Sequence, residues 1–532
     1  MSSTGSTGRN SIFYDTKRHG TPLRVQGGRR AKRNTPDGRR RVTRTALACG
    51  GMVLLLSTPS LAAPAGDRRL VEAVKNRDTA AARLLIGQHV DVNTTLPDGA
   101  SAIHWAVLWD DTETVELLIR SGARVNVTDD YGVAPLRLAC ENGSRPIVEM
   151  LLNAGANPNV ALPTGETAIM TAARTGKVDA VKALLAHGAD VNAKENTRGQ
   201  TALMWAAAEK HADVARLLIH AGADVHARST AGFTPLLFAA READVVMTDV
   251  LLSAGANINE AALDGSTSLL TAVIRRHVDY AQLLLDKGAD PNTGSGYTPL
   301  HWAAGEWNGE LSVSVPADSE WGAFGGLRGP EKAEFVKVLL AHGADPNARV
   351  TRNVRRFGGG GGNAGSLIGA TPFLLAAMAR DVAVMRVLLA AGADPRITTN
   401  SNTTALMLAA GLGHAPGITP VPETDAFEAV KLTLELGADV NAANSAGETA
   451  LHAAAYWGAD SVVQFLLDQG ANVNVRDRKL WTPLVITEGI YQGGGVKYFP
   501  TTAELLRRRG AEPSPPNIDR ANGGLTGPDP RR

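Results

Sequence analysis

The chain has 532 residues, of which 44% are hydrophobic and 20% are charged, and its formal net charge is +1. This is a globular composition, but the charge is unevenly distributed. Residues 1–45 contain Lys or Arg twelve times and Asp or Glu twice, so this stretch carries about +10 and the rest of the chain about −9. A mildly acidic body argues against a nucleic-acid partner, because phosphate binding requires Lys and Arg clustered on one face.

The first 65 residues have the plan of a secretory signal peptide: a basic stretch, a short apolar run and then small residues. The apolar core from Ala46 to Leu56 is too short to span a bilayer as a stable helix. Cleavage is expected after Ala62 or Ala65, which predicts a periplasmic or secreted protein without a stable membrane anchor. The alternative is a basic arm on a cytoplasmic protein.

A motif of the form Gly-x-Thr-(Pro or Ala)-Leu, with some substitutions, recurs along the remaining chain. Most successive copies are 33 or 34 residues apart, a period that indicates a repeat architecture. The copies begin at Gly99, Gly132, Gly165, Gly199, Gly232, Gly265, Gly296, Gly369, Asn402, Gly447 and Leu480.

Each copy has the residues that a short helix pair needs, as in GFTPLLFAA (232–240). Gly232 permits a tight turn, Thr234 is expected to cap the first helix with its hydroxyl, and Pro235 suits the first helical position. The paired alanines that follow let neighbouring helices approach closely. A second helix then ends at a glycine such as Gly188, which is expected to adopt a left-handed conformation.

The second helix ends in nearly the same way ten times, for example in LLNAGANPN, LLAHGADVN and LLDQGANVN. With the 33-residue period and the TPLH-type helix starts, the chain resembles the ankyrin-repeat family over about 66–514. The resemblance implies an all-α solenoid of about twelve stacked helix-turn-helix units with hairpin-like fingers. A single unit cannot bury its own apolar faces, so stability must come from stacking. Residues 515–532 are expected to form a disordered tail.

Insertions interrupt the period at 308–329, 350–368, 411–424 and 489–500. The first, third and fourth fall between the two helices of a unit, and they are therefore expected to project from the same side of the solenoid. The second contains five consecutive glycines but lacks the Lys-Ser or Lys-Thr of a phosphate loop. These insertions form either a rim beside a concave surface or solvated loops without a function.

Three histidines occupy one position of the repeat, His104, His301 and His452. In the family that this chain resembles, this histidine is mostly structural and bonds near the helix-capping threonine and the neighbouring turn. No HExxH, CxxC or GxSxG motif is present, and no nucleophile is spaced to join His301 and Glu306. We therefore predict no catalytic, metal or cofactor site. Cys140, the single cysteine after the leader, is expected to be a buried core residue.

The position after this histidine is aromatic in four units, and two further tryptophans lie at or within the first insertion. Large amphipathic rings are common anchors at protein interfaces, so these six residues are candidates for partner binding. The alternative for the first four is that they fill space between neighbouring first helices. The candidates are Trp105, Trp205, Phe238, Trp302, Trp307 and Trp321.

The sequence favours a scaffold that binds another protein through the concave surface and its loop insertions. The alternative is an enzyme or small-ligand receptor with a site built by the insertion near residues 302–329. A deep closed pocket with converging histidine and carboxylate groups would indicate the alternative, whereas an open groove would indicate the scaffold. The identity of the partner is not encoded in the scaffold itself.

Overall fold

The computed structural model describes residues 67–305, 329–352, 367–413, 422–492 and 495–523. These residues form 24 α-helices and a single two-stranded hairpin, so the predicted all-α repeat solenoid is confirmed. Consecutive helices pair into twelve units, each with a first and a second helix. Units are numbered 1 to 12 in chain order below.

The first helices of units 1 to 12 are α1 Arg69–Lys75, α3 Ala102–Leu108, α5 Pro135–Asn142, α7 Ala168–Arg174, α9 Ala202–Ala208, α11 Pro235–Arg241, α13 Ser268–Ile274, α15 Pro299–Ala304, α17 Pro372–Ala379, α19 Ala405–Ala409, α21 Ala450–Ala455 and α23 Pro483–Thr487. The second helices are α2 Thr79–Gly87, α4 Thr112–Arg120, α6 Arg145–Asn153, α8 Val178–Ala186, α10 Ala212–His220, α12 Val245–Ser253, α14 Val278–Asp286, α16 Pro330–Ala341, α18 Val382–Ala390, α20 Glu423–Glu435, α22 Asp460–Asp468 and α24 Pro500–Arg508.

The core lies between the two helix rows and between successive units. Each first helix packs on the first helices before and after it, and most second helices stack on their neighbours in the same way. Ala239 and Ala240 are fully buried at this contact, as is Leu184 on a second helix. Small side chains in one row and leucines in the other therefore let every unit bury its apolar surface against its neighbours.

Two glycines show why the turns need this residue. Gly232 has φ +81°, and a Cβ at this position would lie 2.7 Å from the backbone nitrogen of Leu263 in the next unit. Gly188 follows α8 with φ +82°, the left-handed conformation predicted for it. Any other residue at Gly232 would both strain the backbone and push the next unit away.

Threonine caps form at many first helices but not at α11 of unit 6. The Thr267 and Thr371 hydroxyls accept hydrogen bonds from the Leu270 and Leu374 amides. Thr234 has the same extended backbone, yet its hydroxyl makes no capping bond, so that prediction was wrong for this unit. Pro235 does occupy the start of α11 as expected.

An asparagine ladder ties the fingers together. The Asn159 side chain donates to the Gly188 carbonyl oxygen at 3.1 Å and accepts from the Asp190 amide at 2.7 Å. Both bonds reach the next unit, and the same pair of bonds recurs along the solenoid. The ladder residues are Asn93, Asn126, Asn159, Asn192, Asn259, Asn292, Asn347, Asn441 and Asn474.

The first, third and fourth predicted insertions lie between the two helices of one unit, in units 8, 10 and 12, and the second, 350–368, lies between α16 and α17. Most of the first three in chain order falls outside the described residues. The last forms an antiparallel hairpin of β1 Ile490–Gln492 and β2 Gly495–Lys497, with Ile490 opposite Lys497. These strands were not predicted.

Part of the expected tail packs on the last unit. Ile518 is buried in an apolar cluster with Trp481, whose indole N–H donates to the Asp519 carbonyl oxygen at 2.9 Å. Arg520 also pairs with Glu488 at 3.0 Å. Residues 515–523 are therefore ordered against unit 12, which corrects the predicted disordered tail for this stretch.

We expect Asn159→Ala to lower the free energy of unfolding by about 1–2 kcal/mol, because two hydrogen bonds between units are lost. Arg396 occupies the ladder position in unit 9, where the described side chain makes only an exposed ion pair with Asp394. Arg396→Ala is the matched control and should change stability by no more than about 0.5 kcal/mol. Urea denaturation followed by circular dichroism measures both, and equal losses in the two variants would contradict a stabilising ladder.

Candidate functional site

The three repeated histidines cap their helices. Nδ1 of His452 accepts a hydrogen bond from the Thr449 amide at 3.2 Å, and Nε2 donates to the Trp481 carbonyl oxygen of the next unit at 3.1 Å. His104 and His301 make the equivalent bonds in their units. An imidazole that accepts at Nδ1 and donates at Nε2 is the neutral form with its proton on Nε2.

Burial keeps these imidazoles uncharged. Desolvation lowers the pKa of His301 and of His452 to about 4, although each bonds to carbonyl oxygens that favour the proton. The pKa of His104 is also lowered, chiefly by burial. A fully engaged, buried and neutral imidazole has no free nitrogen for a substrate or a metal. The predicted structural role of the three histidines is therefore what their geometry supports.

An arginine replaces this histidine in unit 3, and it also bonds to the next unit, through an ion pair. Arg137 is buried, and its guanidinium donates to the Glu166 carboxylate of the next unit at 3.0 Å. Glu166 also accepts from the Thr171 hydroxyl at 2.9 Å. A charged pair thus takes the place of the imidazole-to-carbonyl bond between units, and this pair was not predicted.

The aromatic residues that follow the histidine position differ in exposure. Trp105, Phe238 and Trp302 are buried, with 3%, 3% and 6% of their surfaces exposed. Trp205 alone of these four is half-buried and so reaches the surface. Space filling between first helices accounts for the three buried rings, and their role in binding a partner stays a prediction.

Cations lie over several of these rings. The Arg174 guanidinium is 5.4 Å from the ring centre of Trp205, and the Arg241 guanidinium is 5.3 Å from that of Phe238. Lys75 stands 5.0 Å over Trp105 in the same way. Attraction between a cation and the face of a ring holds each charged group at the edge of the first-helix row.

Trp307 and Trp321 lie outside the described residues, so these two candidates stay predictions. The flanking helices α15 and α16 are described, and they place the insertion at the turn between the first and second helix of unit 8. That turn lies in the same row as the corresponding turns of all other units.

An open depression of about 1050 Å³ lies between α2 and α4, in units 1 and 2. Four of its charged residues form two ion pairs, Arg83 with Glu113 and Arg120 with Glu116. It is far along the chain from residues 302–329, where the alternative function would place a site.

Across the described ranges, we find no group of three or more His, Cys, Asp or Glu side chains that could hold a metal ion. Within the same ranges, every helix is too short or too polar to cross a membrane. Cys140 is fully buried, and burial raises the pKa of its thiol to about 12. Its position matches the predicted core residue, and a protonated, enclosed thiol is a poor nucleophile.

Arg380 and Trp457, called the clamp below, contact the end of α19 in unit 10, and neither residue was predicted to have a role. The first helix α19 is short, and its last carbonyl groups are satisfied from outside: Arg380 Nε donates to the Ala409 oxygen at 3.2 Å and Trp457 Nε1 to the Ala410 oxygen at 2.8 Å. The guanidinium also stacks on the Trp457 ring at 4.6 Å. Units 9 and 11 thus hold the unit that carries the third insertion.

Profiles of known protein families match more than half of the chain. The profile described as "Ankyrin repeats (3 copies)" matches residues 70–162, 155–229, 236–313 and 422–487, and the "Ankyrin repeat" profile matches residues 368–400. Among curated proteins, the chain is similar to the E3 ubiquitin-protein ligase KEG of Arabidopsis thaliana, with 34% identity over 125 residues. That match covers 24% of this chain and spans only 6% of the relative.

The buried histidines predict a loss of stability in mild acid. Because the pKa of His452 is about 4 in the folded chain and near its ordinary 6.5 in the unfolded chain, the unfolded chain takes up the proton first as the pH falls. The contribution of the neutral, buried His452 to the free energy of unfolding is fully present above pH 6.5 and is lost as the pH falls to about 4. His452→Gln, which cannot titrate, should flatten this dependence in urea denaturation.

The Asn159→Ala variant is the control for this experiment, because it removes hydrogen bonds without removing a titratable group. Its stability curve should run parallel to that of the unaltered protein between pH 6.5 and 4. If His452→Gln also gave a parallel curve, the neutral buried state assigned to His452 would be wrong.

Proposed function

Because the chain belongs to the ankyrin-repeat family, we propose that it is a protein-protein interaction scaffold whose partner binds the concave first-helix face and the adjoining turns. Ankyrin repeats generally mediate interactions between proteins. The partner is a protein rather than nucleic acid, since the body of the chain is mildly acidic.

The observation that carries this proposal is the exposed edge of the first-helix row at Trp205. The half-buried ring and the Arg174 guanidinium stacked on it form an amphipathic pair, and 38% of the Arg174 side chain is exposed. Trp and Arg are enriched among the residues that dominate binding energy at interfaces. A fixed ring beside a fixed cation loses little conformational freedom when a partner docks.

The alternative, an enzyme or small-ligand receptor near residues 302–329, has less support. His301, the titratable group nearest that segment on α15, is neutral and has both ring nitrogens engaged. The similarity to an E3 ubiquitin-protein ligase is confined to 6% of that relative, so ligase activity does not transfer to this chain.

We further propose that the scaffold works outside the cytoplasm, after removal of the leader. The support is the sequence pattern of residues 1–65, which lie outside the part of the chain that the structure describes. An exported scaffold would act on partners in the periplasm or beyond the cell.

The binding face is tested by comparing two double variants in capture experiments from the native host. Trp205→Ala with Arg174→Ala should reduce recovery of the specific partner by about tenfold or more, because an interface anchor of about 2 kcal/mol is removed. Quantitative mass spectrometry of the cross-linked complexes measures the recovery.

The matched control, Arg120→Ala with Arg216→Ala, alters exposed arginines on the second helices α4 and α10. It should leave partner recovery within about twofold of the unaltered chain, as expected of surface changes outside an interface. Unchanged recovery with the Trp205 and Arg174 variant, or loss only with the control, would refute binding at the first-helix face.

The proposed export and removal of the leader are tested separately. Protein purified from fractionated native cells should begin just after Ala62 or Ala65 and should be found outside the cytoplasm, because signal peptidase cuts after small residues. Amino-terminal sequencing of the mature chain measures this directly. A cytoplasmic protein that retains residues 1–62 would end the export proposal and leave the scaffold proposal intact.

A further inference from the structure

Four consecutive turns between first and second helices, in units 4 to 7, carry a net positive charge as a group when the last residues of α7 and α11 are included, although the unit 6 turn by itself is net negative. Their six cations outnumber three acids, Glu209, Glu242 and Asp244. The corresponding turn of unit 2 contains only acids, Asp110 and Asp111. The six cations, called the basic turn row below, are Arg174, Lys177, Lys210, Arg241, Arg275 and Arg276.

The turns of units 4 and 5 are bonded to each other, and so are the turns of units 6 and 7. Nε2 of His211 in unit 5 lies 3.1 Å from the Arg174 carbonyl oxygen of unit 4, and His277 of unit 7 bonds to the backbone of Arg241 in unit 6. Stacked helices fix neighbouring units roughly 10 Å apart. The cations are therefore held at a regular spacing by the fold.

Stacking on aromatic rings positions two of the cations. Arg174 lies over Trp205 and Arg241 over Phe238, with 38% and 24% of the two side chains exposed. Each guanidinium is thus fixed at the surface with part of its charge open to solvent. Trp205 contributes an apolar surface between the cations of units 4 and 6.

The acids of these turns cancel part of the positive charge, and a net of three positive charges remains. Glu242 pairs with Arg241 at 3.2 Å, and Glu166 lies 3.8 Å from Arg174. Asp244 accepts the Met247 amide as the cap of α12. Burial is the main cause that lowers the pKa of Arg275; the charge of Glu242 raises this pKa, and the charge of Arg241 lowers it by a smaller amount. Arg275 of unit 7 therefore lies in the field of both charged groups of the unit 6 turn.

The basic turn row lies on a mildly acidic body, and this combination favours a short acidic peptide over a nucleic acid or an anionic membrane. At physiological salt a charge is screened within about 8 Å, so a short peptide over the row meets mainly the net positive charge of these four turns. A nucleic acid or an anionic membrane extends over more of the body, which carries about −9, and is disfavoured. Three steps of roughly 10 Å correspond to about ten residues of extended chain.

We propose that the basic turn row binds an extended acidic segment of the partner protein, about ten residues long, with an apolar side chain placed against Trp205. The Asp or Glu carboxylates of this segment would pair with the row, and Arg is suited to bidentate carboxylate contacts. This inference rests on the proposed scaffold function and specifies the chemistry of its partner.

The test uses the full chain and a labelled ten-residue peptide of glutamates around a central leucine pair, with its glutamine counterpart as the neutral probe. Fluorescence anisotropy should show the glutamate peptide binding at least about tenfold more tightly than the glutamine peptide. Binding should weaken as the salt concentration rises from about 50 to 300 mM. Equal binding of both peptides would overturn the proposal.

A triple variant locates the binding. Lys210→Gln, Arg241→Gln and Arg275→Gln together should weaken glutamate-peptide binding about tenfold or more, because three charges are removed from the row. Circular dichroism checks that this variant folds. If it does not, Lys210→Gln alone, which alters an exposed side chain, should still weaken binding about twofold. Unchanged binding would overturn the proposal.

A second triple variant removes the same charge from the opposite row. Arg120→Gln, Arg145→Gln and Arg216→Gln alter exposed side chains on α4, α6 and α10 and should change peptide affinity by less than about twofold. If both triple variants weakened glutamate-peptide binding equally, the peptide would respond only to the net charge of the protein, and the proposal would be overturned.

Two further outcomes are distinct. If a single-stranded oligonucleotide or an anionic phospholipid vesicle displaced the peptide at a lower concentration of charge, the row would be a polyanion site and the proposal would be overturned. The Trp205→Ala, Arg174→Ala variant could fail to capture the partner while the glutamate peptide shows no specific binding to the full chain. The proposal of an acidic partner segment would then be wrong, and the proposed scaffold function would be retained. Unchanged capture by that variant would instead refute the scaffold face.

Discussion

Burial of each unit's apolar side chains against the next unit is the constraint on which the rest of the structure depends. Paired alanines such as Ala239 and Ala240 bring the first helices together, and leucines such as Leu184 fill the second row. The asparagine ladder and the buried histidines then join each unit to its neighbour through polar groups that have little freedom to vary. Variation is therefore confined to turns, fingers and insertions, which is where function must reside.

One row of turns carries most of that variation. Units 4 to 7 place Lys and Arg there, and units 8, 10 and 12 place the three inter-helix insertions at the same point of the repeat. Rings and cations fix parts of this row, as at Trp205 with Arg174 and at Trp457 with Arg380. The histidines that first suggested chemistry are instead neutral caps inside the stack. A binding surface at the edge of the first helices is the function that fits this distribution.

The architecture could be predicted from the sequence because each structural role recurs every 33 residues with the same residue types. The caps of His104, His301 and His452 follow from that recurrence, whereas the missing cap at Thr234 shows that one unit can depart from the pattern without a change of residue. The insertions could also be placed, because they interrupt the period, but contacts made by residues outside the repeated pattern were not predicted. The Arg380 and Trp457 clamp joins residues 77 positions apart across a short helix, and the packing of Ile518 lies beyond the last repeat.

The candidate site was predictable only in part, for a physical reason. The same repeat position holds Trp105, Trp205, Phe238 and Trp302, but burial depends on the side chains that adjacent units bring to each ring, and the 33-residue pattern does not specify it; only Trp205 is half-buried. Hydrogen exchange of the full chain with its captured partner tests the central claim most directly. Slower exchange in the turns at 174–177, 208–211, 241–244 and 275–277, with α4, α6 and α10 unchanged, is the predicted result. Slowing confined to the second helices would contradict it.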